Sequence, residues 1–325
     1  MKENDFLAFI ARHAPPHPRV PVGIGDDMAI VTPPTTPPTT PTAGGILLKI
    51  DQCLDRVHFD LRQHTWTQAG TKAINRCLSD CAAMACRPTA LMLAVVLPQE
   101  ATAADAQALF LACQQAAALF DCPLVGGDTS IWPEPNQRLA ITVSALGEPV
   151  PGITPILRST AQVGDAILVT GALGGSILGR HLAFTPRIAL ALELAQRVHI
   201  TALMDISDGL AQDLPRLCRA SGVGALVCPA QLPVHPDAEL LAKRDGLPPA
   251  LHALADGEDY ELLFTIPESD FPKLFPNPNS GQIALVGGVK LTRIGTITPG
   301  PTLELLDPDD HHHPWPQGGW EHHTP

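Results

Sequence analysis

Ala-Leu-Met-Asp-Ile-Ser-Asp-Gly-Leu-Ala-Gln-Asp-Leu-Pro-Arg-Leu-Cys-Arg-Ala, residues 202–220, reads as a strand over Ala202–Ile206, a turn with two acids and a glycine, and a helix over Leu210–Ala220. Strand, acidic turn and helix in succession point to an α/β fold, in which ligands gather beyond strand ends. A Ser or Asp at a helix start can cap its free N–H groups. That accounts for one of Asp205, Ser207 and Asp208, but not for both acids with Gly209.

The pattern extends in both directions. Ala166–Thr170 reads as a strand running into Gly-Ala-Leu-Gly-Gly-Ser (171–176) and then a helix, an arrangement able in principle to cradle phosphate. Alone it is a weak signal. Glu261–Ile266 and Arg293–Ile297 continue this half as strands. Upstream, Met28–Val31, Ile46–Ile50, Leu91–Leu97, Pro123–Val125 and Leu139–Leu146 read as strands. Thr67–Cys86 has helical periodicity, and Ala103–Phe120 is Ala-rich without Gly or Pro, as a helix requires. The first half is therefore β-β-α-β-α-β-β. Gly and Pro are frequent between 147 and 164. The expected class is α/β (α+β) with two domains, residues 1–147 with a mixed sheet and residues 148–325.

The 325 residues suit about two domains on length alone. A hydrophobic content of 45% allows a real core, and with only 4% aromatics Ala, Leu and Val must fill it. A net charge of −12 argues against nucleic acid as a partner, because phosphate backbones need clustered Lys and Arg. No apolar run approaches the roughly 20 residues that span a bilayer. Met1–Ala14 lacks a signal peptide's layout and reads as an amphipathic helix, with Phe6, Leu7, Phe9 and Ile10 on one face. Thr32–Thr42, almost all Pro and Thr, reads as an extended loop of polyproline character. The eight cysteines lack a paired zinc motif and read as small buried residues in a reducing cytoplasm. Asp307–Pro325 is rich in His, Pro and Trp. It reads as a surface tail, with trace-metal binding by His311, His312 and His313 as the alternative.

Acids recur in six patches, most of them beside Gly or Ser: Gly23–Asp27, Ile50–Asp51, Leu78–Asp80, Gly126–Thr129, Asp205–Gly209 and Gly257–Tyr260. Taken singly, each has a local explanation as a turn, a cap or a solvated helix acid. Gathered at one place they would repel, and each would resist ionising unless a cation were present. Mg2+ is the economical cation, since it takes oxygen ligands and keeps waters for a phosphate. The set therefore points to an enzyme handling phosphate through several metal ions.

In this order the motifs resemble the thiamine-monophosphate kinase family, within the superfamily that includes aminoimidazole ribonucleotide synthetase and selenophosphate synthetase. The carrying stretches are Gly-Ile-Gly-Asp-Asp, Asp51 with Val57-His58-Phe59, Leu-Ser-Asp with Ala82-Ala83-Met84, Gly-Gly-Asp-Thr, Arg158-Ser159, Val169-Thr170-Gly171, Asp-Ile-Ser-Asp-Gly-Leu, Gly-Glu-Asp-Tyr-Glu-Leu, and Gly319-Trp320 with His322. The resemblance implies ATP-dependent phosphorylation of thiamine monophosphate to thiamine diphosphate, by in-line transfer in a cleft between two domains. It implies several Mg2+ ions, ATP as co-substrate and a homodimer formed through the first domain. By position, Asp27, Asp51, Asp80, Asp128, Asp205 and Asp208 would be metal ligands, with Asp80, Asp128 and Asp208 central to catalysis. Gly127, Asp128, Arg158 and Ser207 would hold ATP, and His58, Glu258 and Trp320 would face the thiamine moiety.

The chain departs from the family pattern at Lys49 and Ile50, where a hydroxyl usually precedes the acid, and at Cys77, Gly175 and Asp256. Ile50 offers no ligand, and an inward Lys49 would compete with a cation. Two other readings stay open on sequence. One is a relative that uses ATP to activate another small acceptor; it predicts ATP turnover indifferent to Glu258→Ala. The other is a nucleotide-binding paralogue without catalysis; it predicts tight Mg·ADP binding and no turnover.

Overall fold

The computed structural model describes residues 17–23, 25–32, 45–276, 283–316 and 318–319. The helix expected over Met1–Ala14, nearly all of the Pro-Thr loop, and Trp320 with His322 lie outside these residues.

The first half builds a five-stranded mixed sheet. Its strands are β1 (Ala29–Val31), β2 (Ile46–Leu54), β3 (Cys86–Leu97), β4 (Leu124–Ile131) and β5 (Ala140–Pro149), in spatial order β1-β2-β5-β3-β4. Only β3 and β4 run parallel. Two helices, α1 (Trp66–Ala83) and α2 (Ala103–Ala118), complete the expected order β-β-α-β-α-β-β. Each starts at a reciprocal cap, Thr65 with Gln68 and Thr102 with Asp105, which satisfies N–H groups that no helical turn can reach.

Period-two alternation assigns the strand faces. In β2, Leu47 and Cys53 are buried, which places Lys49 and Asp51 on the same inner side and sends Ile46, Leu48 and Ile50 outward. Ile50 thus belongs to the outer surface, at 66% exposure, and has no part in a site on the other face. Helix α1 is buried almost all round: Ile74, Leu78 and Cys81 are inaccessible, and so is Lys72. A helix buried on every side must have neighbours on every side. It packs against β2, β5 and α2 of its own unit, and against α3 (Ile188–Arg197) and β7 (Ala202–Asp205) of the other.

The second half forms an eight-stranded sheet. To β7 it adds β6 (Ala166–Thr170), β8 (Gly224–Val227), β9 (Leu262–Ile266), β10 (Ile283–Val286), β11 (Val289–Thr298), β12 (Leu303–Leu306) and β13 (His312–Pro314). The order is β13-β12-β8-β11-β6-β9-β7, with β10 on β11, and only β12 and β8 pair in parallel. Helices α4 (Leu210–Ser221), α5 (Pro236–Asp245) and α6 (Pro249–Ala255) follow β7 and β8.

The helix expected after the Gly171–Ser176 turn does not form. Short 3-10 turns over Ser176–Leu178 and Arg180–Leu182 stand there instead, and α3 starts only at Ile188. Gly174 and Gly175 hold left-handed backbone, and a Cβ on Gly175 would lie 2.4 Å from Asp237 C and Ala238 N. These glycines let the turn sit against α5 and α6, and left-handed residues cannot propagate a right-handed helix. No helix among the described residues is long and apolar enough to cross a membrane. All eight cysteines are free, and seven are buried.

Candidate active site

A cavity of about 420 Å3 opens where the two units meet. Lys49, Asp51, His58, Arg76 and Asp80 line it from the first unit. Ser176, Asp205, Ser207, Asp208, Asp256, Glu258 and Tyr260 line it from the second.

Three acids remote in sequence converge here. Asp27 lies just before β1, Asp80 in the last turns of α1, and Asp205 at the end of β7. All three are buried, and their nearest carboxylate oxygens lie within 4.8 Å of one another. Burial, with Asp27 adding to it, pushes Asp205 up to about 6, and burial holds Asp80 well above the usual carboxylate range. Ser79 Oγ donates to Asp205 Oδ2 at 2.5 Å, fixing that carboxylate. Three crowded carboxylates, all oxygen donors and drawn from three separate segments, fit a hard divalent cation. This donor set suits Mg2+, and Asp27, Asp80 and Asp205 are the residues that would hold it.

Basic side chains pair with the acids around this cluster. Arg158 reaches Asp27 at 2.6 Å and Asp26 at 3.8 Å, Lys49 reaches Asp80 at 2.7 Å, and Arg76 reaches Asp51 at 3.3 Å. Arg216 bridges Asp208 at 2.5 Å and Asp213 at 2.8 Å. Lys49 does point inward. Asp80 and Asp51 outweigh the effect of its burial and hold its ammonium above the ordinary lysine range. Asp213 shapes the Asp-Ile-Ser-Asp turn, because its Oδ2 accepts the N–H groups of Ser207 and Asp208, each at 3.0 Å.

At the other end, Glu258 projects from a strained loop. Glu258 and Tyr260 have φ of 53° and 51°, left-handed values that cost a non-glycine residue about 1 kcal/mol or more. Tyr260 is buried, stacks on Phe184 and donates its hydroxyl to Glu258 Oε1 at 3.3 Å. Lys72 Nζ lies 2.7 Å from Glu258 Oε1, and His181 Nδ1 lies 3.1 Å from Oε2. Burial alone would raise the Glu258 pKa, but His181 and Lys72 prevail and pull it down to about 2. An ionised carboxylate therefore faces the cavity.

The structure brings Asp27, Asp51, Asp80, Asp205, Asp208, Arg158, Ser207, His58 and Glu258 to this region, but not Gly127 and Asp128. Those two lie on β4, the edge strand of the first sheet; both are exposed and neither lines the cavity. Edge placement keeps them out of the cluster within one chain. The glycine at 127 has a packing reason, since a Cβ there would fall 1.8 Å from the Leu93 carbonyl oxygen. Gly319 packs against the carbonyl of Asp208, so the chain returns to the rim of the site just before Trp320.

Sequence reasoning missed Lys72, Arg76, His181, Asp213 and Arg216. A signal existed for two of them. Lys72, Arg76 and Asp80 recur at four-residue spacing on one face of α1, and charges aligned on a helix whose opposite face carries Ile74 and Leu78 ask for partners. His181 had none, because its neighbours come from distant segments.

Residues 25–148 match the AIR synthase related protein N-terminal domain, and residues 164–307 the corresponding C-terminal domain. The thiamine-monophosphate kinase of Rhodopirellula baltica is 36% identical over 297 residues, covering 91% of this chain and 89% of that protein. The chain belongs to the thiamine-monophosphate kinase family. The Synechococcus elongatus member is 34% identical over 86% of this chain and 85% of its own length. Among solved structures, AaThiL complexed with AMPPCP and TMP superposes with a TM-score of 0.80 at 26% identity, covering 99% of this chain and 97% of that one. The hydrogenase maturation protein HypE, at 18–19% identity, shares the fold.

Proposed function

We propose that this kinase-family chain transfers the γ-phosphoryl group of ATP to thiamine monophosphate, giving thiamine diphosphate. The observation that carries this reading is the meeting of Asp27, Asp80 and Asp205 at a cavity that Asp80 and Asp205 line together with an ionised Glu258. One end suits phosphates accompanied by cations, and the other suits a cationic ring. A relative of 26% identity has been solved with an ATP analogue and TMP together, which supports the same pair of ligands here.

Mg2+ held by Asp27, Asp80 and Asp205 would offset the repulsion between two anionic substrates. Asp51 and Asp208 flank that position, each kept in place by its own arginine. Arg158, anchored on Asp26 and Asp27, is assigned with Ser207 to the ATP phosphates. Gly127 and Asp128 are assigned to the nucleotide side, reached along the exposed edge of β4. Glu258 and His58 are assigned to the thiamine moiety, and so is Trp320, whose ring would favour the thiazolium cation. The acceptor is a phosphate oxygen already ionised near neutral pH, so transfer needs alignment of the two phosphates more than a general base.

We also propose a homodimer formed through the outer face of the first sheet. Ile50, Ser144 and Met92 align across β2, β5 and β3, and Ile46, Leu48, Ile50 and Met92 are all more than a third exposed on that side. Apolar side chains gathered on one sheet face mark an association surface. The proposed setting is the cytoplasm, where eight free cysteines remain reduced.

The deciding assay supplies ATP, Mg2+ and thiamine monophosphate and measures thiamine diphosphate directly. Failure to form it at high enzyme concentration rejects the proposal. ATP consumption without it would instead point to another acceptor.

A further inference from the structure

The β12–β13 hairpin closes the far edge of the second sheet, six strands from β7, which carries Asp205. Its register places Leu305 opposite His313 and Leu306 opposite His312. Alternation then separates the three consecutive histidines. His312 shares a face with Glu304 and lies 2.8 Å from it. His311 and His313 share the other face with Asp307: His313 Nε2 is 3.0 Å, and His311 Nδ1 3.4 Å, from Asp307 Oδ2. Asp309 adds a fourth donor, within 4.8 Å of Asp307 and His311. The Asp307 carboxylate is preset, since its Oδ1 accepts the N–H groups of Asp309 and His311, each at 2.9 Å, leaving Oδ2 toward the imidazoles.

We propose that Asp307, Asp309 and His311, with His313 alongside on the Asp307 carboxylate, form a binding site for one borderline divalent transition metal ion, Zn2+ foremost, separate from the catalytic cavity. A tetrahedral ion with ligands at 2.0–2.1 Å spaces those ligands about 3.3–3.4 Å apart, and the two oxygen-to-nitrogen distances here are close to that. Two imidazoles with carboxylates select Zn2+, Ni2+ or Cu2+ over Mg2+, which takes oxygen ligands. Beyond the hairpin, Trp315 Nε1 donates to Ala211 O on α4 at 2.9 Å. An ion here would clip the hairpin from which the chain returns to Asp208.

The test is calorimetric titration of Zn2+ into the full chain in a large excess of Mg2+, which keeps the Asp27–Asp80–Asp205 cluster occupied by a hard ion. One Zn2+ per chain is expected. His311→Ala and His313→Ala should each weaken binding at least about 10-fold, the lower bound for losing even an outer-shell partner. His312→Ala, on the opposite face, should leave affinity within about 2-fold and serves as the control for an intact hairpin. Absence of saturable Zn2+ binding overturns the site. So does equal weakening by all three substitutions, which marks loose chelation by a histidine-rich segment. Binding that survives both His311→Ala and His313→Ala places the ion elsewhere and overturns it as well.

Discussion

Lys72 Nζ lies 2.7 Å from Glu258 Oε1, which joins a fully buried lysine of the first unit to the cavity loop of the second. The same ammonium reaches the His58 carbonyl at 2.5 Å and His181 Nδ1 at 2.6 Å. One charge thus ties Glu258 of the second unit to the His58 backbone of the first. Removing one partner of a buried pair leaves the other uncompensated, at a cost of about 3–5 kcal/mol. Lys72→Met should lose stability on that scale in urea unfolding, and should raise KM for thiamine monophosphate at least about 10-fold while KM for ATP stays nearly constant. A uniform fall in kcat alone would contradict the positional role.

The acids of the cluster should differ in weight. Asp80→Asn and Asp205→Asn each remove a carboxylate from the buried triad and should lower kcat by about 100-fold or more, with the fold retained by circular dichroism. Asp128→Asn, on an exposed edge strand, should cost less than either. Equal losses at all three would show that the edge strand enters the reacting centre through the assembled dimer.

Glu258 supplies a pH dependence with a definite sign. Its carboxyl is held at about 2 in the native state against an ordinary 4.5. The stability from its pairing is complete above about pH 4.5 and is lost as pH falls from there toward 2. Wild type should therefore lose more stability than Glu258→Gln between pH 5 and pH 3, measured by paired urea melts.

Asp80 and Asp205 have the opposite sign. Both are raised in the folded state, Asp205 to about 6, so the proton favours folding and their stabilisation is lost as pH rises through that region. Mg2+ should then raise Tm more at about pH 7.5 than at about pH 5. An equal rise at both would remove these acids from the metal site.

Lys49 sits where it opposes a cation at Asp80. Lys49→Ala should lower the Mg2+ concentration needed for half-maximal tryptophan fluorescence change or Tm shift by several-fold. An unchanged or increased requirement would mean that the lysine assists cation binding instead.

The outer sheet face yields a test of assembly. Leu48→Glu with Ile50→Lys places charges in the apolar patch and should convert the proposed dimer to a folded monomer, read by size exclusion with light scattering. A wild-type monomer at micromolar concentration would remove the dimer proposal directly.

Much of this was legible in the chain. The order of strands and helices in the first half follows from periodicity and from the placement of Gly, Pro and caps, because these act over a few residues. The helix expected after Gly171–Ser176 was misread, since the glycines there serve close packing on α5 and α6, a constraint supplied by residues more than sixty positions later.

The acids themselves, and their placement beside Gly and Ser, were set by sequence, as was the inward direction of Asp51 once β2 alternates. Which acids converge was decided only by tertiary structure. Asp27, Asp80 and Asp205 meet because α1 is buried between both units, whereas Asp128, with equally suggestive neighbours, stays on an edge strand. Local chemistry specifies what a carboxylate can do. Carboxylates far apart along the chain act together only where packing overcomes their repulsion and leaves room for a cation.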